Sequence, residues 1–386
     1  MRFTTAKNRR ARKGTITILA AIMSIVLVGM VAFCVDLGYV LSAKEELQRS
    51  ADSSALAACW EYGKQLGKGN SSTVAAGYAR TTAAQYAALN RVTGNAMTLT
   101  ANASNSPSGD VVMGYIADFK DPQSAFLTDG SNGYNAVKVR LRKDSDTNGQ
   151  VPYFFARIFG KQGQNLQSEA VAGLIRDVKG FKTPSGGGNI GILPYTLDLQ
   201  TWIPFVANSG TDNYRWNPVT KKVEAGSDGL VEVNLFPQGT GSPGNRGTVD
   251  IGSSNNSTAD IARQIIYGIS PSDLAHHGGQ LVFDANGKLY LNGDTGISAG
   301  VKDELESIKG QPRIIPIFSA VTGNGNNANY TIVKWQGIRI MNVKLTGSMS
   351  QKNVMIQVAP AEAQGVIPAT TTGSSNYVYS PVVLVR

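Results

Sequence analysis

From Gly14 through Val35 the chain runs 22 residues, GTITILAAIMSIVLVGMVAFCV, without a charge or a proline. As a helix at ~1.5 Å per residue this stretch is roughly 33 Å long, against a bilayer hydrocarbon core of about 30 Å. It is long enough to cross, and the rest of the chain has to be arranged around that. A cleaved signal peptide has a shorter apolar region, about 7 to 15 residues, ending at a small-x-small site. Here the run is longer and passes without such a site into a helical pattern, and bulky Phe33 stands where a lipoprotein-type cleavage before Cys34 needs a small residue. The expectation is a retained transmembrane helix over residues 14–36.

The formal net charge of +9 suggests nucleic acid until it is divided along the chain. Arg2, Lys7, Arg9, Arg10, Arg12 and Lys13 supply six of those charges within residues 1–13, with no acid beside them. No later segment gathers Lys and Arg with interleaved aromatics, so nucleic acid is not an expected partner. The asymmetry also sets orientation. Asp36, Lys44, Glu45, Glu46, Arg49 and Asp52 follow the span with mixed sign, so the positive-inside rule keeps the basic tail of residues 1–13 in the cytoplasm and sends the bulk outward.

Past Asp36, apolar and small residues recur at Leu37, Leu41, Leu47, Ala51, Ala55, Ala58, Tyr62 and Leu66, interrupted once by Lys44. These steps of three, four and their sums predict one helix from Thr15 to about Leu66, roughly 78 Å long, whose outer part must pack on something. Cys34 and Cys59 fall on that helix roughly 37 Å apart, too far for a disulfide.

The stretch from Lys13 to Cys59 resembles the N-terminal segment of the Flp pilus-assembly TadE/TadG-like family. The resemblance is carried by Gly14, the apolar span, Asp36, Leu47, Gln48, Ala51, Asp52, Ala55, Leu56 and Ala57. Prepilin-type processing would follow a Gly and place a Glu five residues on, yet five residues after Gly14 stands Leu19. That departure favours a permanently anchored, TadG-like member over a polymerising subunit. A looser similarity to the distal part of some TadG-like proteins involves the stretch from Gly244, Ile261 to Gly268, Arg313 to Phe318 and Tyr330 to Val333.

The resemblance implies a non-enzymatic, single-pass component of tight-adherence (Flp) pilus assembly or a related secretion system in the bacterial inner (cytoplasmic) membrane, its bulk in the periplasm. Implied partners are inner-membrane lipid, pilus or secretion-system proteins, and a second copy through self-association of the N-terminal helix. An exported structural or adhesive surface protein released after processing is the alternative.

The exported part reads as α+β: the long N-terminal helix continues into a pilin-like α+β domain (37–180), a Gly-rich linker (181–189) and a β-rich extracytoplasmic domain (190–386). A second small-residue helix is expected over residues 73–92. Strands are expected at Val111 to Phe119, Ala136 to Arg142 and Ser168 to Ile175, with Val137, Val139 and Leu141 on one face and Lys138, Arg140 and Arg142 on the other. A short helix is expected over Val151 to Phe159, where Phe154, Phe155, Ile158 and Phe159 form an apolar face to be buried beneath the long helix. In the distal domain, strands are expected at Leu230 to Leu235, Gln280 to Phe283, Lys288 to Leu291, Arg313 to Phe318, Tyr330 to Leu345, Val354 to Val358 and Tyr377 to Val385. Helices are expected at Ser257 to Ile269 and Ser298 to Lys309.

No catalytic, cofactor or metal residue is assigned. Gly296-Ile297-Ser298-Ala299-Gly300 matches G-x-S-x-G, but a hydrolase of that order needs a histidine after the serine, and His276 and His277 both precede it. Ser298 reads as a helix cap, and the third alternative, a periplasmic hydrolase, rests on it alone. Adjacent His276 and His277 do not share a helix face. Asp284-Ala285-Asn286-Gly287 starts like a calcium loop, but its Gly comes too early and no closing Glu follows. Asp129-Gly130-Ser131-Asn132-Gly133 lacks the second serine of a metal-dependent adhesion motif, and Gly67-Lys68-Gly69 is no phosphate loop.

Overall fold

The computed structural model describes residues 15–67, 70–236, 247–252, 257–294, 299–323, 327–369 and 373–386. It is an α+β protein whose organising element is helix α1, Thr15–Gly67, 53 residues without a break. Between Ile16 and Val35 the helix is exposed almost all the way round, and from Asp36 onward one stripe is buried. A helix apolar on every face has no stable home in water, whereas a one-sided helix packs on a core. The change of character at Asp36 is therefore a change of surroundings written into one helix.

Helix α2, Ser72–Leu89, starts where the Ser71 hydroxyl accepts from the Val74 amide. It runs back along α1: Tyr62 Oη meets Ser72 Oγ at 2.9 Å, Asn90 Nδ2 donates to Ser53 Oγ at 3.1 Å, and the Thr93 amide donates to Glu46 Oε2 at 2.7 Å. Ala75, Ala79, Ala83 and Ala87 face Leu47, Ala51, Ala55 and Ala58 across this seam, all fully buried. Small side chains bring the two backbones close, so dispersion contacts along the whole length replace a few large interlocking groups.

The other side of α1 lies on an antiparallel sheet. Strand β1 (Val111–Gly114) pairs with β2 (Ala136–Lys143). A short hairpin of β3 (Val151–Pro152) and β4 (Gly163–Gln164) follows, enclosing a 3-10 turn at Ala156–Phe159. Strand β5 (Leu166–Gly173) pairs with β2 throughout. Val137, Val139 and Leu141 point into the core while Lys138, Arg140 and Arg142 are half-exposed, as their alternation predicts. The helix expected over Val151 to Phe159 is only that single 3-10 turn, and Phe154, Phe155, Ile158 and Phe159 are exposed instead of buried.

Strand β6 (Val178–Lys182) takes in the first residues of the glycine-rich segment. There follow β7 (Leu197–Asp198), α3 (Leu199–Val206), the hairpin β8 (Tyr214–Asn217) and β9 (Lys222–Ala225), β10 (Glu232–Phe236) and β11 (Thr248–Val249). Helices α4 (Thr258–Tyr267) and α5 (Pro271–Ala275) precede β12 (Gln280–Val282), which pairs with β6, and β13 (Leu289–Asp294). After α6 (Lys302–Ser307) come β14 (Pro312–Thr322), β15 (Ala328–Lys344) and β16 (Asn353–Val358), and then the short strands β17 (Ala361–Glu362), β18 (Val366–Pro368), β19 (Ser375–Asn376), β20 (Val378–Tyr379) and β21 (Val383–Leu384).

Strand β15 is the hub of the distal sheet. One edge pairs with β14 along most of its length; the other pairs with β13 over residues 328–332 and with β16 over residues 338–344. Gly337 sits where the partner changes, and a Cβ there would lie 2.1 Å from the Tyr377 carbonyl oxygen and 2.5 Å from that of Ala359. Only glycine permits that approach. One apolar cluster around Trp202, Ile265, Leu305, Ile338 and Ile356 packs beneath α3, α4 and α6. Another surrounds Trp335, which meets Phe181 edge-on at 5.0 Å and stacks on Phe283 at 5.7 Å. Finally β21 pairs with β5, so the last residues of the chain complete the sheet under α1.

Two predictions follow from this packing. Ala55→Leu, which inserts three carbons into the α1–α2 seam, is expected to destabilise the chain by about 1–3 kcal/mol in denaturant unfolding in detergent, whereas Arg49→Leu on the exposed face stays within about 0.5 kcal/mol. In the distal unit, Arg263 grips Asp273 through Nη1 at 3.0 Å and Nη2 at 2.6 Å, and Ser270 donates from its amide and hydroxyl to the same carboxylate. Burial alone would raise the Asp273 carboxyl; the Arg263 fork and Ser270 outweigh it and hold it below the usual range. This contribution to stability is complete above the unfolded carboxylate pKa of about 3.9 and fades as pH falls through the lower folded value. Urea midpoints measured from pH 6 to pH 3 are expected to fall less steeply in Asp273→Asn than in the parent chain.

Candidate functional site

The boundary residue Asp36 is the most constrained polar group on α1. It is 4% exposed, and its carboxylate accepts from the backbone amides of Phe154 at 2.7 Å, Ala156 at 2.7 Å and Phe155 at 3.1 and 3.2 Å. These are the free amides at the start of the 3-10 turn Ala156–Phe159. A carboxylate is the strongest acceptor a side chain can bring to such a turn. Gly160 closes the turn in the left-handed conformation (φ 76°), its amide reaching the Ala156 and Arg157 carbonyls. Tyr39, one turn further along α1, meets the Phe154 ring edge-on at 5.0 Å. Around the exit of the apolar segment the chain thus builds a collar of α1 and the β3–β4 hairpin, joined by one buried carboxylate.

Beyond the collar the seam residues Leu47, Ala51 and Ala55 come together with α2, not with the collar. The phase of the stripe differs from the expectation at its start. Leu37 and Leu41 are exposed, and Ala43, Ser50 and Ser54 are buried in their stead. Lys44, which interrupted the sequence pattern, points outward. Cys34 is exposed in the apolar segment and Cys59 is buried, both as free thiols, with burial pushing the Cys59 thiol up.

The remaining sequence candidates are scattered. Ser298 lies outside the described residues, as do the basic tail and residues 244–246. His276 is the exposed C-cap of α5, and His277 is half-buried, its imidazole pushed below the ordinary range by burial. Asp284 accepts from the amides of Asn286 at 2.8 Å and Lys288 at 2.9 Å, closing a turn, and Asp129 does the same for Ser131 at 3.2 Å. Among the described residues no three His, Cys, Asp or Glu side chains gather as a metal would require. A cleft of about 420 Å³ opens between the outer end of α1 and the distal unit, walled by Trp60, Leu174, Pro312, Pro360, Tyr379 and Val382. Its walls also carry Lys64, Glu362, whose carboxyl is raised by burial, and Ser380, whose hydroxyl accepts from the Ile175 amide and donates to the Pro381 carbonyl.

The apolar helix, the buried acid at its exit and the small-residue seam beyond all fall within the region that matches known families. Residues 14–75 match the TadE/G-like Flp pilus-assembly family (Tad), and residues 64–172 match the Tad-like Flp pilus-assembly family Tad_C. Together the two matches span residues 14–172, and over that stretch the chain is similar to Tad-like Flp pilus-assembly proteins. The matches support a pilus-assembly-related protein, and α1 is long and apolar enough to cross a membrane. The matched region contains α1, α2, the collar and nearly all of β5, and ends before the distal unit. No curated protein and no solved structure matches the chain.

The collar makes its own prediction. In Asp36→Asn one neutral oxygen and an NH₂ replace two charged acceptors, so the three amides lose most of their bonding. Hydrogen exchange at Phe154 to Ala156 is expected to accelerate while β2 and β5 keep their protection; unchanged exchange at the turn would show that the carboxylate does not hold it.

Proposed function

We propose that this chain is a non-enzymatic, single-pass protein of the bacterial inner membrane. Residues 14–36 form the span, the N-terminus lies in the cytoplasm, and the bulk stands in the periplasm as a mechanical component of pilus assembly or a related secretion system. The observation that carries the reading is the abrupt change along α1: apolar on all sides to Val35, one-sided from Asp36. The exposed apolar segment matches the hydrocarbon thickness, and the mixed charges beyond Asp36 against the basic tail give the orientation.

In this role α1 is a mast. Residues 37–67 project roughly 46 Å beyond the span, and α2 with the β1–β2–β5 sheet braces it on two sides. The distal unit, which the chain enters at β6 (Val178–Lys182), is carried outward to meet pilus or secretion-system proteins. Small residues on α1 also suit close helix approach within a bilayer, and self-association through the exposed N-terminal part of the helix belongs to the same proposal.

The test uses the native host. The full-length chain is expected to stay in the membrane through carbonate washing, to become protease-sensitive beyond residue 36 when the outer envelope is opened, and to be required for pilus-dependent adherence. Ser298→Ala is expected to restore adherence to a deletion strain as fully as the parent chain. A carbonate-soluble product, or a deletion strain with normal pili, would overturn the proposal.

A further inference from the structure

The α1 helix serves as a ruler for everything packed on it. The amides of Phe154 to Ala156 bond to Asp36, the Glu169 carbonyl accepts from Gln48 Nε2 at 3.0 Å, and a Cβ on Gly63 would lie 3.1 Å from Leu174 Cδ2. Strand β5 therefore climbs away from the apolar segment as its numbering rises. The β3–β4 hairpin sits at the opposite, lower end, roughly 18 Å of helix below Gln48 and level with the first residue past the apolar run.

At that level the hairpin displays what a water-facing loop avoids. Phe154 is 56% exposed, Phe155 42%, Ile158 82% and Phe159 84%. Four large apolar side chains in six residues form one patch, and the 3-10 turn that presents them is held by Asp36 and Gly160 rather than by any burial of its own. From Val151 through Leu166 the only charges are Arg157 and Lys161, both exposed cations. Aromatic residues flanked by cations at the end of a span are the composition that settles at the boundary of headgroups and acyl chains.

We propose that the β3–β4 hairpin is a second membrane contact. Phe155, Ile158 and Phe159 enter the outer headgroup–acyl boundary of the bilayer crossed by α1, and Arg157 and Lys161 meet anionic headgroups. The occupant is lipid because the patch is continuous with the span and tied to its last turn through Asp36. Two points of contact on one rigid body fix the tilt and rotation of the mast, which a single helix leaves free. The inference rests on the anchoring of residues 14–36 proposed above, and its test separates the two.

Full-length protein with Cys34→Ser, reconstituted into vesicles of phosphatidylcholine and phosphatidylglycerol, is spin-labelled in turn at Phe159→Cys, Leu27→Cys and Val219→Cys, leaving buried Cys59 in place. All three positions are exposed, so no core is disturbed. Collision rates with oxygen and with a water-soluble nickel chelate report depth. The label at position 159 is expected to collide more with oxygen and less with nickel than the label at 219, at a shallower depth than the label at 27. It is also expected to move toward water in vesicles of phosphatidylcholine alone.

An aqueous label at 159 beside a deep label at 27 overturns the second contact and leaves the anchor standing. An aqueous label at 27 removes the anchor, and the inference with it. A label at 159 shielded from both reagents means that protein, a second copy or another partner, covers the patch, which also overturns the proposal. Equal depth in the two vesicle types overturns the assignment of Arg157 and Lys161 to anionic headgroups.

Discussion

One helix with two kinds of surface constrains everything else in this protein. For roughly five turns α1 offers apolar side chains in every direction, and then it offers them in one. Its hydrogen bonds are satisfied internally throughout, so the backbone passes from one environment to the other unbroken; only the side chains register the change. Asp36 stands at that change. A carboxylate there would be costly in hydrocarbon and needs no partner in water, yet it is 4% exposed and bonded to three successive amides. The span end and the β3–β4 hairpin are thereby locked in register, and the position of the folded unit along α1 is set by hydrogen bonding rather than by packing alone.

Above Asp36 the constraint becomes one of proximity. A helix sandwiched between α2 on one side and a sheet on the other must keep both neighbours close, and the residues at the seam are the smallest that still exclude water: Ala51, Ala55 and Ala58 against Ala75, Ala79, Ala83 and Ala87. Tyr62 is the exception. It is fully buried and its hydroxyl meets that of Ser72, where α2 begins, so the largest group in the seam also fixes where the turn between the helices ends.

The sequence was legible where the physics is local. The extent of α1 follows from its 3-4 spacing, interrupted only at Lys44, α2 lies within a residue of its expected start but ends at Leu89 instead of residue 92, and β2 follows from Val137, Lys138, Val139, Arg140 and Leu141 alternating. It was less legible where alanine carries the pattern, because alanine differs little from serine in hydropathy. The buried stripe begins at Ala43, Ser50 and Ser54, and the more conspicuous Leu37 and Leu41 lie outside it. Phe154, Phe155, Ile158 and Phe159 were misjudged for a related reason. Hydrophobicity alone predicts burial, and only the contact with Asp36 reveals that the patch sits beside the apolar span. The many pairings of β15 and the partner change at Gly337 depend on strands far apart in sequence, which no periodicity encodes.

The return of the chain to its first sheet ties the distal strands to α1. Strand β21 lies on β5 with Val383 opposite Gly173 and Leu384 opposite Ala172, and the Val171 amide donates to the Arg386 carbonyl at 2.6 Å. Two further ties cross near the start of β6: the Ile175 amide donates to Ser380 Oγ at 2.8 Å, and the Val178 amide to Ser375 Oγ at 2.9 Å. The distal unit is therefore joined to the sheet under α1 by two stretches of chain rather than one. It meets β5 both along the covalent chain and through the strand pairing of β21. Because β5 in turn rests on α1, the distal strands connect to the long helix along a face of packed side chains as well as through the covalent chain.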